Sequence, residues 1–570
     1  AALLRGIDAA HLFLVALDDD RTSFRYHRLV RQVLRAELRD RDRVREQMLQ
    51  LRAAEWFEAA GDARRAAHHF LAAQQADRAL ALMQDRVVPD FLHAPAVPEP
   101  LVLSMADPSM LAETPESLLG LAADLLLSGD MARGGEYLDV LEQTGKIPAG
   151  SELAARFAAF QAFRYGLAGQ LETAVQKALA ARAIQDRTQL PGDWNAVVPL
   201  ILIRVYTCLD DFPAAEREAA TALAAPTVPE PVRLLVVPGA RALAWFKAGR
   251  LAEAGHAARA ADADARRLGF SQHFFAVDYL RVLSGLALER RDLDTAEHLT
   301  ERVLSITEQR RPLFEFFGLL DRAQIRAARG QVRDALATVE AARQVVTGAS
   351  LALLARADEQ EALLRLSLGD LRSPAELASH LPAVHRSLLL AKIALAAGDH
   401  HGVQEHLRAA GLGDLAPRHV LVREVLLAAA AIERGDPAAA GMLGRALRTA
   451  RSQGFFNTVI TSAPQVTSYM VEHAAQLRSD PFTAQMVAAA LEVRAAQPGS
   501  ARSGRALADP LTAAEQRILT LLPTSTYPQI AGTLFISRNT VKTHLRSIYQ
   551  KLGVASRSGA LERAVDLRLL

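Results

Sequence analysis

Residues 512–552 read TAAEQRILTLLPTSTYPQIAGTLFISRNTVKTHLRSIYQKL, and this stretch decides the fold of the C-terminal end of the chain. It contains two capping boxes, TAAE at 512–515 and TYPQ at 526–529, each of which marks the first turn of a helix. A third helix is predicted to begin at Ser537 and to end before Gly553. The order of helix, helix, tight turn and helix is typical of a helix-turn-helix.

The third predicted helix has an apolar face and an opposite face of hydrogen-bonding side chains. Its apolar residues recur every three or four positions, as on a helix that packs on a core; they are Val541, Leu545, Ile548 and Leu552. Donor groups suited to base edges and phosphates occupy the other positions: Asn539, Thr540, Lys542, Thr543, His544, Arg546, Gln550 and Lys551. A single solvated amphipathic helix would show the same pattern, but the capped helices before it favour DNA recognition.

The charge of the chain is unevenly distributed. Residues 511–570 contain eight Lys and Arg against three Asp and Glu, a net charge of +5. The whole chain is only +2, so the 510 residues before this stretch carry −3. A basic module on a mildly acidic body indicates a local contact with nucleic acid.

The same residues resemble the LuxR-type DNA-binding domain of bacterial regulators. The resemblance covers about sixty residues and is carried by LTxxE at 511–515, QIA at 529–531, LFIS at 534–537, NTVKTH at 539–544, IYxKL at 548–552 and SR at 556–557. It implies that the third helix enters the major groove, with Lys542, Thr543 and Arg546 nearest the bases. Phosphates would be held by Thr540, His544 and Lys551. The full predicted DNA-contacting set is Ser537, Arg538, Asn539, Thr540, Lys542, Thr543, His544, Arg546 and Lys551.

The resemblance also implies a fourth helix, residues 556–569, that makes a dimer contact through Leu561, Ala564 and Val565. The sequence departs from the family pattern at Ala514, at Gln529 and in a short loop at 523–525. These departures lie in the scaffold, so they are expected to alter affinity and not DNA binding itself.

Residues 1–50 read differently from the rest of the chain. A strand at 11–17 and a second at 22–26 are predicted, followed by a helix. This segment resembles the winged-helix domain of large LuxR-type regulators, where it follows an ATPase and serves as an internal linker domain. The acidic run Asp18-Asp19-Asp20 would repel phosphate, so DNA binding by this segment is not expected.

Residues 51–496 show an internal repeat of about 40 residues. Turn signals recur at Gly129, Gly169, Asp210, Gly249, Arg291, Gly330 and Gly369. A small alanine follows five of them at the same place: Ala174, Ala215, Ala254, Ala296 and Ala335. This period predicts an α-solenoid of tetratricopeptide-like helical hairpins, in which the alanines let two helices approach closely.

A helical solenoid has a concave face that can bind a peptide, a protein or a small molecule. The candidate ligand-facing residues are Phe160, Arg164, Tyr165, Arg204, Tyr206 and Trp245. Ordinary packing between repeats is the alternative for each of them, and the sequence favours that alternative. Residues 497–510 are rich in Gly, Ser and Pro, and they are predicted to be a linker.

Several kinds of chemistry are not indicated. The one Gly-Lys pair, Gly145-Lys146, is not part of a phosphate-binding loop. Adjacent histidines at 68–69 and 400–401 point about 100° apart on a helix, so solvated histidines are favoured over a metal site. The one cysteine, Cys208, is interpreted as a small buried apolar residue in a reducing cytosol. No apolar run reaches the length of a membrane span. We therefore expect a cytoplasmic protein without cofactor, metal or membrane partner.

Together these patterns predict a mainly α protein of three domains and one linker. Residues 1–50 are winged-helix-like, residues 51–496 form the solenoid, residues 497–510 are a linker, and residues 511–570 form a four-helix LuxR-type domain. The order resembles the maltose-activator type of large LuxR regulator without its ATPase. The predicted function is a non-enzymatic transcription regulator that binds double-stranded DNA as a homodimer and senses an unidentified effector or protein. The alternative is a repeat scaffold that uses its C-terminal domain mainly for dimerisation.

Overall fold

The computed structural model describes the residues from 14 to 566 except 17–23, 27, 77, 80–81, 83–86, 94–113, 189–191, 226–227, 309, 410–415, 478–480, 497–510, 524, 535, 553 and 555. The chain divides into two compact units, Ala1–Val466 and Thr467–Leu570. The predicted linker at 497–510, the acidic turn at 18–20 and the predicted helix end at Gly553 lie outside the described residues.

The first unit begins with the predicted hairpin. Strands β1 (Leu14–Ala16) and β2 (Phe24–Tyr26) pair antiparallel, with Leu14 opposite Tyr26. Helix α1 (Arg28–Arg41) follows, so the predicted order of two strands and a helix is confirmed. Two apolar side chains of α1, Val33 and Leu34, are exposed.

Helical hairpins then fill the rest of the first unit. Their helices are α2 (Arg43–Ala59), α3 (Ala63–Ala72), α4 (Val87–His93), α5 (Pro115–Ser128), α6 (Met131–Gln143), α7 (Glu152–Leu167), α8 (Leu171–Thr188), α9 (Gly192–Cys208), α10 (Phe212–Ala224), α11 (Val237–Ala248), α12 (Leu251–Leu268), α13 (Val277–Glu289), α14 (Leu293–Thr307), α15 (Pro312–Ala328), α16 (Val332–Val345), α17 (Leu351–Ser367), α18 (Arg372–Ala378), α19 (Ala383–Ala396), α20 (His400–Ala409), α21 (Pro417–Glu433), α22 (Ala439–Gln453) and α23 (Asn457–Ser462). A π-helical turn, Val232–Val236, leads into α11, and a 3₁₀ turn, Phe274–Ala276, leads into α13.

The turns of the repeat lie at the predicted residues. All seven have a positive φ, including the two that are not glycine, Asp210 at 61° and Arg291 at 60°. An aspartate after the turn often starts the next helix: Asp130 accepts from the Arg133 N–H at 3.1 Å, and Asp292 from the Thr295 N–H at 3.2 Å. The left-handed residue therefore ends one helix and the aspartate caps the next.

The alanines after the turns are buried, as the repeat predicts. Each exposes 1% of its surface or less: Ala174, Ala215, Ala254, Ala296 and Ala335. A methyl group at this place lets the two helices of a hairpin pack closely, and the predicted tetratricopeptide-like architecture is confirmed.

The array also winds back on itself, which the sequence did not indicate. The Ser350 N–H donates to the Gly169 carbonyl at 3.0 Å, and Arg418 Nη2 donates to the Phe246 carbonyl at 3.4 Å. These partners are separated by about four repeats in the sequence. Turns of the early repeats therefore pack against helix starts of the later ones.

This close approach divides the turn glycines into two kinds. At Gly249, φ is 94° and a Cβ atom would lie 2.6 Å from the backbone nitrogen of Arg418. At Gly330, φ is 81° but a Cβ atom would meet nothing within 4 Å. Gly330 is needed for its backbone conformation alone, whereas Gly249 is needed also because no side chain fits.

The second unit contains the C-terminal module, residues 511–566. Helix α24 (Pro464–Glu472) crosses the boundary between the units, and α25 (Ala474–Leu477), α26 (Pro481–Ala496), α27 (Ala513–Leu521), α28 (Tyr527–Thr533), α29 (Arg538–Leu552) and α30 (Arg557–Asp566) follow. In the described part of the chain, no helix is both long and apolar enough to span a bilayer.

Candidate nucleic-acid interface

Two capped helices fix the scaffold of the C-terminal module. Thr512 Oγ1 accepts from the Glu515 N–H at 3.3 Å, and the Glu515 carboxylate accepts from the Thr512 N–H at 2.7 Å. At the start of α28, the Gln529 side chain accepts from the Thr526 N–H at 2.8 Å. Both predicted capping boxes are therefore formed.

The start of α29 is fixed by Ser537. Its Oγ accepts from the Thr540 N–H at 3.1 Å and lies 2.8 Å from Thr540 Oγ1. A serine in this position satisfies one of the unpaired N–H groups of the first turn. The cap sets where the helix begins, and so fixes which side chains face outward.

One face of α29 is held in the core of the module. Val541, Leu545, Ile548 and Leu552 each expose 4% of their surface or less. They pack with residues of α27, its C-cap, α28 and α30: Ile518, Leu519, Leu522, Ile530, Ala531, Ala560 and Ala564. This packing confirms the predicted apolar face and prevents α29 from rotating about its axis.

The opposite face of α29 is open. Six predicted DNA-contacting residues are exposed: Ser537, Arg538, Asn539, Lys542, Thr543 and Arg546. Thr540 and His544 are half-buried at the edge of this face. The helix contains no acidic residue, and Arg538, Lys542 and Arg546 form no ion pair with any described residue. Three positive side chains thus lie on one fixed surface with their charges unneutralised.

Lys551 does not belong to this surface, although the resemblance implied a phosphate contact. Its Nζ lies 2.9 Å from Glu515 Oε2, and the two side chains are only 13% and 5% exposed. Burial raises the pKa of Glu515, but hydrogen bonds from Ser547, the Thr512 N–H and Lys551 outweigh burial and hold that pKa at about 2. In this conformation the charge of Lys551 neutralises a buried carboxylate, and its phosphate contact stays a prediction.

Arg557 has a structural role that the sequence did not reveal. Its guanidinium donates to the carbonyls of Leu522 and Ser525, the latter at 2.9 Å, and lies 5.7 Å from the centre of the Tyr527 ring. The arginine therefore ties α30 to the loop between α27 and α28. Its place in the motif gave no indication of these carbonyls, which lie more than 30 residues away.

The predicted dimer contacts on α30 have different surroundings. Ala564 is fully buried in the core of its own module, so it offers no surface to a second copy. Leu561 is partly buried and packs against the same core. The side chain of Val565 lies outside the described residues. Ala564 is therefore withdrawn as a dimer contact, and dimerisation through Leu561 and Val565 stays a prediction.

The candidate ligand-facing residues of the repeat array divide between packing and a cavity. Arg164 forms a bidentate pair with Asp139, at 2.6 and 3.1 Å, and Trp245 Nε1 donates to Glu216 at 3.0 Å. Tyr165 and Tyr206 are half-buried. Phe160 and Arg204 differ from these four because they line a common cavity.

The singled-out cysteine and histidines have ordinary surroundings. Cys208 is half-buried, and burial raises the pKa of its thiol to about 11. His69 Nδ1 lies 2.6 Å from Gln50 Oε1, and burial lowers the pKa of that imidazole. Within the described ranges, no cluster of three metal-ligating side chains is found.

Both ends of the chain match known families. Residues 509–564 match the bacterial regulatory proteins of the luxR family, and residues 1–46 match the MalT winged helix domain. The chain is also similar to the crystal structure of the apo form of RapI, at 9% identity over 67% of this chain and 98% of that chain, with a TM-score of 0.30. The APC/C hetero-tetramer Cut9-Hcn1 is 11% identical over 80% of this chain and 95% of that chain, with a TM-score of 0.36.

A capped helix with a basic open face defines the C-terminal module as a DNA-binding helix-turn-helix domain. Its residues 509–564 are the ones that match the luxR family of bacterial regulatory proteins. With the MalT winged helix domain at the other end, the chain has the terminal domains of a MalT-like regulator of that family.

Proposed function

We propose that this chain is a transcription regulator that recognises a specific DNA sequence through α29 and is controlled by its repeat array. The observation that carries this proposal is the set of unpaired cations, Arg538, Lys542 and Arg546, on the open face of a helix whose other face is buried. Positive charge without a carboxylate partner on a fixed surface is what a polyanion contacts.

Within this face we assign two kinds of contact. Lys542, Thr543 and Arg546 project from the middle of α29 and are proposed to meet base edges in the major groove, where an arginine can bond a guanine with two hydrogen bonds. Ser537, Arg538, Asn539, Thr540 and His544 lie at the start or edge of the face and are proposed to position the helix on phosphates. Thr543 Oγ1 donates to the Asn539 carbonyl at 3.0 Å, and its lone pairs stay free to accept a hydrogen bond from a base amino group.

Control by the repeat array requires that an effector bind one state of the protein better than another. We propose that a ligand or protein held by the array changes the availability or pairing of the C-terminal modules. Two modules joined through α30 would then bind an inverted-repeat site as a homodimer. We place the protein in the cytoplasm, where its DNA lies.

Gel shifts with the full chain test the DNA-reading face. Duplexes that the wild-type chain selects from a random-sequence library serve as probes at one fixed salt concentration. Arg546→Ala is expected to weaken binding to the best duplex by about 1–3 kcal/mol and to relax the base preference at the positions that Arg546 contacts. Lys542→Ala is expected to weaken binding to the same duplex by a similar amount.

The matched control is Arg445→Ala in α22, which removes one positive charge from an exposed side chain of the first unit. It is expected to leave the affinity within about twofold. If Lys542→Ala and Arg546→Ala both retain wild-type sequence preference, α29 is not the reading helix, and a scaffold in which the module only dimerises would explain the chain better.

A further inference from the structure

A cluster of charged side chains brings together five helices of the repeat array. Its members each come from a different helix, α11, α13, α15, α17 and α21: Lys247, Arg281, Asp321, Arg356 and Arg418. The charges of the other four act on the Lys247 ammonium, so all four lie close to it. Arg418 Nη2 also donates to the carbonyl of the residue before Lys247, at 3.4 Å. The cluster therefore lies where the later repeats pack against the early ones.

Lys247 has no carboxylate partner of its own in this cluster. Each of the three arginines is paired with a carboxylate: Arg281 with Asp321, Arg356 with Asp210, and Arg418 with Glu289. Lys247 forms neither an ion pair nor a hydrogen bond with any described residue, although it is half-buried. A charged group that is partly removed from water is costly unless it is paired. The Lys247 ammonium is therefore an excess positive charge.

Water reaches the cluster although it lies between five helices. The side chains of Arg356 and Asp321 expose 16% and 20% of their surface. Cys208, at the end of α9, is half-buried, and the charges of three members of the cluster act on its thiol. Side chains that face one another from different helices and still contact water leave a hydrated recess between them. An anion that enters this recess exchanges some of its water for charged hydrogen-bond donors.

Two side chains of the cluster have unused donors. The Lys247 ammonium donates to no described residue. Arg281 uses only Nε and Nη2, which donate to Asp321 at 2.7 and 3.3 Å, and its Nη1 has no acceptor among the described residues. Hydrogen bonds between a charged donor and an anion are shorter and stronger than those between neutral groups. An oxyanion held by both side chains would satisfy these donors and neutralise the excess charge.

We propose that this recess binds a phosphate group, as inorganic phosphate or as the end of a small phosphorylated molecule. Lys247 and Arg281 would donate to its oxygens, and Arg356 and Arg418 would add positive charge from the later repeats. A tetrahedral oxyanion directs oxygens towards several helices at once, whereas a carboxylate has only two oxygens in one plane. Its charge would hold the early and late repeats together, and this tightening would be the signal that the array passes on. That signalling role rests on the proposed function, whereas binding itself does not.

Calorimetric titration of the full chain without DNA tests the site. Inorganic phosphate and glycerol 3-phosphate are the probes, and acetate at the same ionic strength is the planar control. At least one phosphate is expected to saturate a single site and to bind about tenfold more tightly than acetate. The tighter of the two shows whether the free ion or the end of a larger molecule is preferred. Lys247→Met should lose about tenfold in phosphate affinity. Lys392→Met removes another half-buried lysine that has no ion pair with a described residue, and it should lose none.

The pH dependence of sulfate binding identifies the lysine, because sulfate keeps its charge throughout the range. Burial and the charge of Arg281 lower the pKa of Lys247 to about 8. The anion binds the protonated amine, so the wild-type affinity should be about tenfold weaker at pH 9 than at pH 7. Lys247→Arg keeps its charge and should lose no affinity over that range. His385, whose pKa is about 9, titrates in both proteins, and its effect on affinity cancels in the comparison.

The outcomes that overturn the proposal are distinct. No saturable binding of either phosphate, equal phosphate affinity in Lys247→Met, or the same pH dependence in Lys247→Arg and the wild type would each do so. Acetate that binds as tightly as phosphate would show that the ligand class is wrong. Circular dichroism verifies that each variant is folded, and Lys247→Arg keeps the test decisive if Lys247→Met is not. Lys542→Ala should bind phosphate like the wild type while losing DNA, so failure of this site is separable from failure of DNA recognition.

Discussion

The repeat array and the C-terminal module use positive side chains in opposite ways. In the array, many arginines are matched to carboxylates on other helices: Arg164 with Asp139, Arg182 with Glu218, Arg281 with Asp321, Arg343 with Asp358 and Glu361, Arg356 with Asp210, and Arg418 with Glu289. On α29, Arg538, Lys542 and Arg546 have no such partner among the described residues. Exposure alone does not separate the two regions. The difference is that no carboxylate of a described residue pairs with Arg538, Lys542 or Arg546, so these three charges are left for an external partner.

Some of the matched pairs join distant repeats of the array. At one such contact, Arg356 binds Asp210 and donates to the Cys208 carbonyl at 3.0 Å. His385 lies between two carboxylates, with Nδ1 2.8 Å from Glu359 and Nε2 3.1 Å from Asp210. The His419 ring contacts His385 with their centres 4.8 Å apart. This cluster connects a turn of an early repeat to helices α17, α19 and α21.

The largest predicted effect comes from breaking this cluster. Arg356→Ala leaves Asp210 and Glu359 with one cation between them, and removing one partner of a buried pair typically costs about 3–5 kcal/mol. The free energy of unfolding in urea should fall by about that amount. Arg372→Ala is the matched control, because Arg372 and Glu376 form a pair with 91% and 67% of their side chains exposed. That pair is expected to contribute about 0–1 kcal/mol. Equal effects of the two variants would mean that the distant contact does not stabilise the array.

The second prediction concerns pH. Burial lowers the pKa of His385, but the charge of Glu359 and the bonds to both carboxylates outweigh it and raise that pKa to about 9. His385 and Arg356 hold the pKa of Asp210 at about 2 and that of Glu359 at about 2, against the effect of burial. The pKa of His385 is about 9 in the folded state and 6.5 in the unfolded state, so the protonated ring stabilises the fold. This contribution is fully present below pH 6.5 and is lost as the pH rises through about 9. Burial lowers the pKa of His419 to about 4, so this ring stays neutral above pH 6.5 in the folded state.

The pH effect is isolated by comparing the wild type with His385→Gln. At pH 6.5 the wild type should be more stable than the variant by up to about 3 kcal/mol, and the difference should disappear near pH 9.5. Burial lowers the pKa of Lys247 to about 8, so this residue also titrates in the range. It does so in both proteins, and its contribution to the pH dependence of stability cancels in the comparison. A difference that stays constant across this range would show that His385 acts through packing and not through its charge.

The sequence predicted features that depend on neighbouring residues. The turns at Asp210 and Arg291, the buried alanines and the open face of α29 all follow from the period of a helix or a repeat, and the structure has each of them. Contacts between residues far apart were not predictable in this way. The pairing of Arg356 with Asp210 depends on how steeply the array winds, which is the sum of many small rotations between hairpins. Likewise, the pattern of α29 alone placed Lys551 on the DNA face. Its partner Glu515 lies 36 residues away in the sequence, so the local pattern could not reveal the pair.

The smallest predicted effect compares the two lysines of α29. Lys542 is exposed and unpaired among the described residues, whereas Lys551 is held against Glu515 at 2.9 Å. A lysine that contacts DNA displaces a counterion, so Lys542→Gln should reduce the slope of log affinity against log salt concentration by about one per bound copy. It should not change the thermal midpoint. Lys551→Gln should leave the salt slope unchanged, but it leaves a buried carboxylate short of its partner and should destabilise the module by about 1–2 kcal/mol. The opposite result, in which Lys551→Gln changes the slope and Lys542→Gln does not, would return Lys551 to the DNA face and show that the ion pair with Glu515 opens on binding.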